Sequence, residues 1–208
     1  MARLKCAVFV SGRGSNLVSI VEKSKNQSID AEVCTVISNR STAGGLLYAK
    51  ENGIPAYHIS QIQFESEDDF ANALINILHK EKSDLLVLAG YLKKLPKKVI
   101  KEFKNHIINI HPALLPAFGG KGMFGENVHK AVLQYGCKVS GATVHIVDDQ
   151  YDTGFPLVQR CVPVMEDDTP ATLAKRILVI EHQILPEAIQ LYAQDKIKIK
   201  NNRPFIHF

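Results

Sequence analysis

Asn109 and His111 are the residues whose types and spacing best suit catalysis in this chain. They lie two positions apart, where an apolar stretch at 107–110 runs into a loop rich in proline and glycine. In an extended strand, two such side chains point to the same side. An amide can stabilise a carbonyl oxygen that becomes an oxyanion, and an imidazole can move a proton near neutral pH. The pair predicts acyl-group chemistry, with a polar strand end and a solvated histidine as the alternative.

An acidic loop supplies the second set of candidates, after a strand predicted over residues 139–147. Asp148, Asp149 and Asp152 each offer a carboxylate that would pair with His111 and raise its pKa, or hold a water against it. Neighbouring acids in loops are usually solvated or capping groups, so the residues alone leave the choice among the three open. The loop lacks the alternating oxygen ligands and the distal glutamate of a calcium site.

The remaining histidines are interpreted as structural or solvated. None has the HExxH spacing or another spacing typical of metal ligands, so we expect no metal. They are His58, His79, His106, His129, His145, His182 and His207.

A glycine turn, Ser11-Gly12-Arg13-Gly14-Ser15-Asn16, links the first predicted strand to a helix. Glycines let the backbone turn sharply, and the free N–H groups at a helix start can bind an anion such as phosphate. Leu17 replaces the third glycine of a dinucleotide fingerprint, and the Gly-Lys-Ser/Thr of a P-loop is absent. The spacing favours a smaller phosphate ester, with a tight turn capped by Ser15 or Asn16 as the alternative.

Alternating strands and helices must position these residues. Short apolar runs between helical segments predict a parallel sheet, and the second half predicts an antiparallel pair. The fold class is therefore α/β: a mostly parallel twisted sheet with helices on both faces, a Rossmann-like N-terminal half, and an antiparallel portion in the C-terminal half. The predicted strands are 5–10, 31–37, 56–59, 85–89, 107–110, 139–147, 158–164 and an edge strand at 196–200. The predicted helices are 16–25, 42–52, 65–82, 127–135 and 169–194.

Composition bounds the class of protein. With 208 residues, of which 46% are hydrophobic and 22% charged, the chain predicts a single globular domain and excludes disordered, collagen-like and coiled-coil proteins. No apolar run reaches the ~18 residues of a membrane span. Four scattered cysteines favour reduced thiols, so we expect a cytoplasmic protein. A net charge of +4 suits small anionic ligands and is too weak to predict nucleic-acid binding.

Three segments together resemble the phosphoribosylglycinamide formyltransferase (glycinamide ribonucleotide transformylase) family. They are the glycine turn at 11–16, the run Asn109-Ile110-His111-Pro112-Ala113-Leu114-Leu115-Pro116, and the stretch from Gly141 to Asp152-Thr153-Gly154; residues 88–92 are also similar. The resemblance covers the chain to about the end of the last long helix. It implies transfer of the formyl group of 10-formyltetrahydrofolate to the amine of 5′-phosphoribosylglycinamide in de novo purine biosynthesis. The folate would be a cosubstrate, and no metal is implied.

The resemblance also implies roles for individual residues. Asn109 and a protonated His111 would stabilise the oxygen of a tetrahedral intermediate, while Asp152, through water, would move protons and keep the imidazole charged. The ribonucleotide would be held by Gly14, Ser15, Asn16, Gly90 and Glu181. The folate would be held by Leu92, Lys93, Lys94, Leu95, Asn109 and the backbone of the loop that begins at Asp148. A change of pattern near residue 105 would separate a phosphate-binding lobe, 1–105, from a catalytic and folate-binding lobe, 106–208.

Two positions depart from the family pattern. Residues 65–69 are acidic where a basic residue commonly meets an anionic ligand, so another residue must supply that charge or the contact is missing. Leu178 replaces a polar side chain that some members place one turn before Glu181. After the catalytic run, the glycine-rich loop 118–125 predicts a flap that becomes ordered when ligands bind, and the Leu115–Pro116 peptide is expected to be cis.

Three other functions are alternatives to the transferase. A formyltetrahydrofolate hydrolase would keep the same three catalytic residues and use water as the acceptor, but it would need an added N-terminal regulatory domain, which does not fit before Lys5. A methionyl-tRNA formyltransferase would need an RNA-binding domain. A non-catalytic nucleotide-binding module would not need His111 or Asp152. We expect small-molecule substrates, no nucleic-acid or membrane partner, and a monomer or weak homodimer.

Overall fold

The computed structural model describes residues 3–200 and 203–207, and the chain forms two compact units, Met1–Asn109 and Ile110–Phe208. The roles expected for the lobes 1–105 and 106–208 stay predictions. Within the described residues, no helix has both the length and the apolar character needed to cross a bilayer.

The first unit is built on parallel strands, as the sequence pattern predicts. Its first four strands are β1 (Leu4–Val10), β2 (Ala31–Ser38), β3 (Ala56–His58) and β4 (Leu85–Leu88). Its helices are α1 (Ser15–Lys25), α2 (Gly44–Glu51), α3 (Glu67–Lys80) and α4 (Lys97–Glu102). β1 is completely buried from Cys6 to Val10 and pairs in parallel with both β2 and β4, so it is the central strand of this unit.

The strands confirm the predicted fold class. Three further strands, β5 (Ile107–His111), β6 (Val139–Ile146) and β7 (Pro156–Pro163), complete a seven-stranded sheet in the order β3-β2-β1-β4-β5-β6-β7. The pairs β1–β2, β2–β3, β1–β4 and β4–β5 are parallel, whereas β6 and β7 are antiparallel. Because crossovers between parallel strands are right-handed, the outward connections through α1 and α2 and the return through α3 cover opposite faces.

The strand order creates a switch point between β1 and β4. From β1 the chain moves outward to β2 and β3, and it then returns to the other side of β1 to form β4. Open α/β sheets bind ligands at the carboxyl ends of the strands at such a point. The glycine turn follows β1 directly, and Gly90 lies two residues after the end of β4. The topology therefore singles out these two segments of the first unit.

Two short elements of the first unit were not predicted, a 3₁₀ turn at Gln61–Gln63 and α4. α4 has six residues and only Val99 of these is buried, so it is too short to give a helical period. The predicted helix 65–82 is α3, which begins later because the Ser66 side chain accepts the Asp69 N–H as an N-cap.

The second unit contains the β6–β7 hairpin, α5 (Glu126–Gln134) and the long helix α6 (Pro170–Ala193). α6 begins as predicted, because the Thr169 side chain accepts the Thr172 N–H and Pro170 occupies the first helical position. The helix packs against both strands of the hairpin.

The alternating tail forms the predicted strand, β8 (Ile197–Lys200). Its partner was not predicted, because β8 pairs antiparallel with β9 (Arg203–Ile206) in a separate two-stranded sheet.

Candidate active site

Ser11 ties together the segments that follow the strands of the switch point. Its N–H donates to the carbonyl oxygen of Gly90 at 3.1 Å, and its hydroxyl donates to Asn39 Oδ1 at 2.5 Å. The Leu92 N–H in turn donates to the Ser11 hydroxyl at 2.9 Å. The ends of β1, β2 and β4 are thereby held together by one buried side chain, which gives the glycine turn a fixed position in the first unit.

Gly14 occupies a position that other residues would not tolerate. Its φ of 82° lies in the left-handed region, and a Cβ there would lie 2.9 Å from the Gly45 Cα at the start of α2. Gly45 is in turn packed against Val10, which a Cβ would meet at 2.8 Å. The glycines thus allow the turn to approach α2 closely, a packing reason that does not depend on a ligand.

The predicted phosphate residues lie at the start of α1. Gly14 is its N-cap, no side chain caps the helix, and Ser15 and Asn16 are its first two residues. Ser15 is exposed and Asn16 is buried. The first N–H groups of a helix have no intrahelical partner, so this exposed end suits an anion.

His111 is almost completely buried at the end of β5, with 3% of its surface exposed. Its Nε2 lies 2.8 Å from the carbonyl oxygen of Phe118. A carbonyl oxygen only accepts hydrogen bonds, so Nε2 carries the proton. In the neutral imidazole the lone pair is then on Nδ1, which lies 3.7 Å from Asp152 Oδ2.

Asp152 is fixed by its backbone and by its carboxylate. Its φ of 56° is left-handed, a conformation that aspartate tolerates better than most residues. Oδ2 accepts the Gly120 N–H at 2.9 Å, which ties the glycine-rich loop to the carboxylate. The predicted pairing of His111 with an acid of this loop therefore selects Asp152.

His145 faces the same carboxylate, although the sequence analysis treated it as structural. Its Nε2 lies 3.6 Å from Asp152 Oδ1, and its Nδ1 lies 3.0 Å from the carbonyl oxygen of Ile146. A carbonyl oxygen only accepts hydrogen bonds, so Nδ1 carries a proton, and Nε2 faces the Asp152 carboxylate. Strand alternation puts residues 143 and 145 on one face of β6 directly before the acidic loop, and that pattern is the signal that could have identified His145.

The His111 pKa is lower than the sequence analysis expected. Burial lowers the pKa of His111, and this effect outweighs the raising effects of Asp152 and of the Phe118 carbonyl. The expectation that Asp152 keeps the imidazole charged stays a prediction. Burial alone would raise the pKa of Asp152, but His145, His111 and the Gly120 N–H together lower it. The ionised form of Asp152 is therefore favoured between the two imidazoles.

The other two acids of the loop have different surroundings. Asp148 Oδ1 accepts the Gln150 N–H at 2.9 Å and the Thr153 hydroxyl at 2.7 Å, so this carboxylate shapes the loop. Asp149 is exposed. The suggested folate contact at Asp148 would therefore involve its backbone and stays a prediction.

The loop requires a glycine at position 154, two residues after Asp152, because the backbone of β6 passes close to it. A Cβ on Gly154 would lie 1.7 Å from the Ile146 carbonyl oxygen, the same oxygen that accepts from His145 Nδ1. Any side chain would displace the end of β6 and with it the His145 ring. The absence of a side chain at Gly154 thus allows the backbone position that orients the His145 ring.

The loop after His111 is held by polar side chains of the hairpin. The buried Thr143 hydroxyl donates to the Ala113 carbonyl oxygen at 2.6 Å and accepts the Leu115 N–H at 3.1 Å. Gln159 Nε2 donates to the Leu115 carbonyl oxygen at 3.0 Å. The Leu115–Pro116 peptide is cis, as expected. The sequence analysis missed both supporting residues, because their roles arise only from the hairpin pairing.

The glycine-rich loop begins in contact with the site. Beyond the hydrogen bonds at Phe118 and Gly120, the Phe118 ring packs edge-on against the exposed Tyr135 ring, with centroids 5.6 Å apart. Movement of this loop on ligand binding stays a prediction.

The remaining predicted site residues are distributed over both units. Leu92, Lys93 and Lys94 are exposed and Leu95 is buried, between β4 and α4. Asn109 lies on β5, and Glu181 lies on α6, partly exposed. Within residues 3–200 and 203–207, no group of three or more metal-ligating side chains is assembled.

The fold and these segments correspond to an enzyme class that transfers formyl groups. Residues 4–189 match the family model described as "Formyl transferase", and the chain belongs to that family. A curated relative from Vigna unguiculata, named phosphoribosylglycinamide formyltransferase, chloroplastic, is 46% identical over 195 residues, which are 94% of this chain. The chain spans 62% of the length of that relative.

Solved structures show the same relationship. Glycinamide ribonucleotide transformylase 1 from Symbiobacterium toebii superposes with a TM-score of 0.93 and 38% identity, covering 100% of this chain and 95% of that one. A formyltetrahydrofolate deformylase from Pseudomonas syringae reaches a TM-score of 0.87 at 21% identity, covering 99% of this chain and 66% of that one. The latter similarity shows the fold alone.

Proposed function

We propose that this protein transfers the formyl group of 10-formyltetrahydrofolate to the amine of 5′-phosphoribosylglycinamide in de novo purine biosynthesis. The observation that carries the proposal is the buried cluster of His111, Asp152 and His145. In it, a carboxylate able to accept a proton lies beside an imidazole whose opposite nitrogen is a hydrogen-bond donor. The names of the relatives support the choice of substrates.

We propose that His111 and Asn109 stabilise the oxygen of the formyl group. The His111 Nε2–H already donates to an sp² oxygen, the Phe118 carbonyl, at 2.8 Å. The formyl oxygen of the donor would replace that carbonyl oxygen as the acceptor. As the amine attacks, negative charge develops on this oxygen, and fixed donors are most effective against developing charge. A neutral imidazole suffices for this role.

Asp152 is the proton acceptor and donor of the proposed reaction. A bond forms between the amine nitrogen and the formyl carbon, the carbonyl electron pair moves to oxygen, and the bond from the formyl carbon to N10 of the folate then breaks. One proton leaves the amine and one proton is added to N10, so the reaction consumes no net proton. The ionised Asp152, reached directly or through water, takes up the first proton and returns it to N10.

Binding is proposed for residues of each unit. In the first unit, Gly14, Ser15 and Asn16 would bind the phosphate with the N-terminus of α1, Gly90 would contact the ribonucleotide, and Leu92, Lys93, Lys94, Leu95 and Asn109 would contact the folate. In the second unit, Glu181 would contact the glycinamide ribonucleotide and the Asp148 backbone the folate.

Release of tetrahydrofolate from 10-formyltetrahydrofolate, followed by absorbance with and without the ribonucleotide, tests the proposal. We expect release that depends on the ribonucleotide and falls at least about 100-fold in His111→Ala, because acid–base and oxyanion groups each contribute on this scale. His58→Ala, which removes an exposed histidine, is the matched control and should keep full activity.

The hydrolase is an outcome of the same experiment. Equal release with and without the ribonucleotide would assign water as the acceptor. No release under either condition would favour the non-catalytic nucleotide-binding module.

We also propose a cytoplasmic monomer or weak homodimer that needs no metal. The four cysteines are all free, which fits a reducing compartment, whereas the Vigna unguiculata relative is named chloroplastic. Cell fractionation tests the location, sedimentation over a range of protein concentrations tests the oligomeric state, and activity after treatment with a chelator tests the metal.

A further inference from the structure

The β6–β7 hairpin carries two polar side chains that have no part in the proposed reaction, named here the polar pair. They are Thr143 on β6 and Gln159 on β7, which lie directly opposite each other in the antiparallel pairing. Gln159 Nε2 donates to the Thr143 hydroxyl at 2.9 Å. Thr143 is completely buried, with 0% of its surface exposed.

The other hydrogen bonds of the polar pair reach the backbone of the segment that follows His111. The Thr143 hydroxyl donates to the Ala113 carbonyl oxygen at 2.6 Å and accepts the Leu115 N–H at 3.1 Å. Gln159 Nε2 donates to the Leu115 carbonyl oxygen at 3.0 Å. A hydroxyl has one proton and two lone pairs, so these bonds and the bond from Gln159 use the full capacity of Thr143. Its orientation is therefore fixed.

The segment held by the polar pair is attached to the catalytic cluster at both of its ends. Ala113 lies two residues after His111, the last residue of β5. Further on, the Phe118 carbonyl oxygen lies 2.8 Å from His111 Nε2, and the Gly120 N–H donates to Asp152. A shift of the backbone at Ala113 would thus be transmitted to the His111 ring.

One face of β6 contacts both parts of the catalytic cluster. Strand alternation places residues 141, 143 and 145 on that face. At Gly141 the face is open, and a Cβ there would lie 2.8 Å from the Leu114 side chain. Thr143 holds the segment after His111, and His145 Nε2 lies 3.6 Å from the Asp152 carboxylate. The register of this one strand therefore sets the imidazole of His111 against the carboxylate of Asp152.

We propose that Thr143 and Gln159 are positioning residues for formyl transfer, which fix the backbone after His111 so that its Nε2–H faces the formyl oxygen. This inference rests on the proposed function, in which the formyl oxygen replaces the Phe118 carbonyl as the acceptor. At that moment His111 loses its contact with Phe118. The polar pair holds Ala113 and Leu115 instead, so its support of His111 remains in place while the substrate is bound.

A second buried threonine separates positioning from general stability. Thr35 on β2 is also 0% exposed, and its hydroxyl donates to the Pro55 carbonyl oxygen at 3.1 Å. Valine at either position removes a buried hydroxyl and leaves a carbonyl oxygen without its donor, which lowers the free energy of unfolding. The two substitutions are therefore matched in chemistry and differ in their distance along the chain from the catalytic cluster.

The test is the rate of ribonucleotide-dependent release of tetrahydrofolate in variants of Thr143. In Thr143→Val we expect kcat to fall about 10- to 100-fold, because a displacement of about 1 Å in a reacting group can cost about 100-fold. The KM for the ribonucleotide should change little, since the phosphate residues lie in the first unit. Thr143→Ser keeps the hydroxyl and should restore most of kcat. Thr35→Val should lose stability and keep the kcat of the wild type.

Gln159 provides a variant that is less demanding for folding, because its side chain is exposed. Gln159→Met keeps the length of the side chain and removes the donor, so kcat should fall about 2- to 10-fold, as for the loss of one ordinary hydrogen bond. Gln159→Lys returns a donor and should recover part of that loss. Gln134→Met, at an exposed glutamine of α5, is the control and should match the wild type.

Three results would overturn the inference: an unchanged kcat in Thr143→Val, an equal loss in Thr143→Ser, or an equal loss in Thr35→Val. Urea unfolding shows whether each variant is folded. Should Thr143→Val fail to fold, Gln159→Met decides, and an unchanged kcat there would overturn the inference. Failure of the proposed function appears differently, as the absence of ribonucleotide-dependent release in the wild type, and would remove both.

Discussion

The glycine turn of the first unit and the cluster of His111, Asp152 and His145 in the second unit are built in opposite ways. The turn uses backbone groups and an exposed helix start, and its glycines are required by the packing of Gly14 on Gly45. The cluster uses buried ionisable side chains whose protons are fixed by the carbonyl oxygens of Phe118 and Ile146. A site made of backbone is sensitive to added volume, whereas a site made of buried ionisable groups is sensitive to the loss of single atoms and to pH.

The largest effect is expected from the smallest chemical change, Asp152→Asn. The amide keeps nearly the same shape but cannot accept the proton of the attacking amine, so kcat/KM should fall by about 10² to 10⁴. Steady-state kinetics measures the loss. Asp149→Asn, in the same loop but exposed, is the control and should be close to wild type. If both variants retained full activity, the proton-transfer role would be wrong.

A single added methyl group should damage the turn. Gly14→Ala places a Cβ 2.9 Å from the Gly45 Cα and enforces a left-handed φ, so we expect a loss of about 1–3 kcal/mol in the free energy of unfolding. The KM for the ribonucleotide should rise as well. Gly12→Ala is the matched control, because a Cβ there meets nothing within 4 Å. Urea unfolding and kinetics of both variants check the prediction, and equal stability of the two would contradict the packing argument.

His145→Gln tests whether the second imidazole positions Asp152. Glutamine retains a polar group near Nε2 but loses the fixed ring, so kcat should fall about tenfold while the KM for the ribonucleotide changes little. His106→Gln, at an exposed histidine, serves as the control. A purely structural role would instead lower stability without separating kcat from KM.

The smallest expected effect is a pH dependence of the free energy of unfolding, caused by two histidines of the second unit. The pKa values of His111 and His129 are lowered, mainly by burial, so below the ordinary histidine pKa of about 6.5 the unfolded chain binds protons that the folded chain does not. The free energy of unfolding should therefore decrease as pH falls from about 7 toward 5, by at most about 1.4 kcal/mol per pH unit for each histidine. Urea unfolding at several pH values measures the slope. His129→Asn should make it shallower, and an unchanged slope would assign it elsewhere.

The two regions also differ in how far the sequence predicted them. The turn, the helix caps at Thr169 and Pro170, and the position of His111 at a strand end follow from local patterns, and the structure confirms these positions. The choice of Asp152 over Asp148 required the resemblance, because the residues alone did not distinguish a carboxylate that shapes its own loop from one that faces His111.

Tertiary placement accounts for what the sequence did not predict. His145 and Thr143 acquire their contacts only when β6 brings them against the segments around Asp152 and Ala113. The lowered pKa of His111 has the same origin, since the degree of burial at a strand end cannot be read from spacing. The short helix α4 was missed because one buried residue, Val99, gives no period.

The contact between Phe118 and Tyr135 marks a position where a fluorescent probe would report on the glycine-rich loop. The chain contains no tryptophan, so it has no indole emission near 350 nm. Tyr135 is 81% exposed and lies against the residue whose carbonyl oxygen accepts from His111. A tryptophan introduced there, Tyr135→Trp, would be the sole indole of the molecule, and its emission would report the position of the glycine-rich loop during a single turnover.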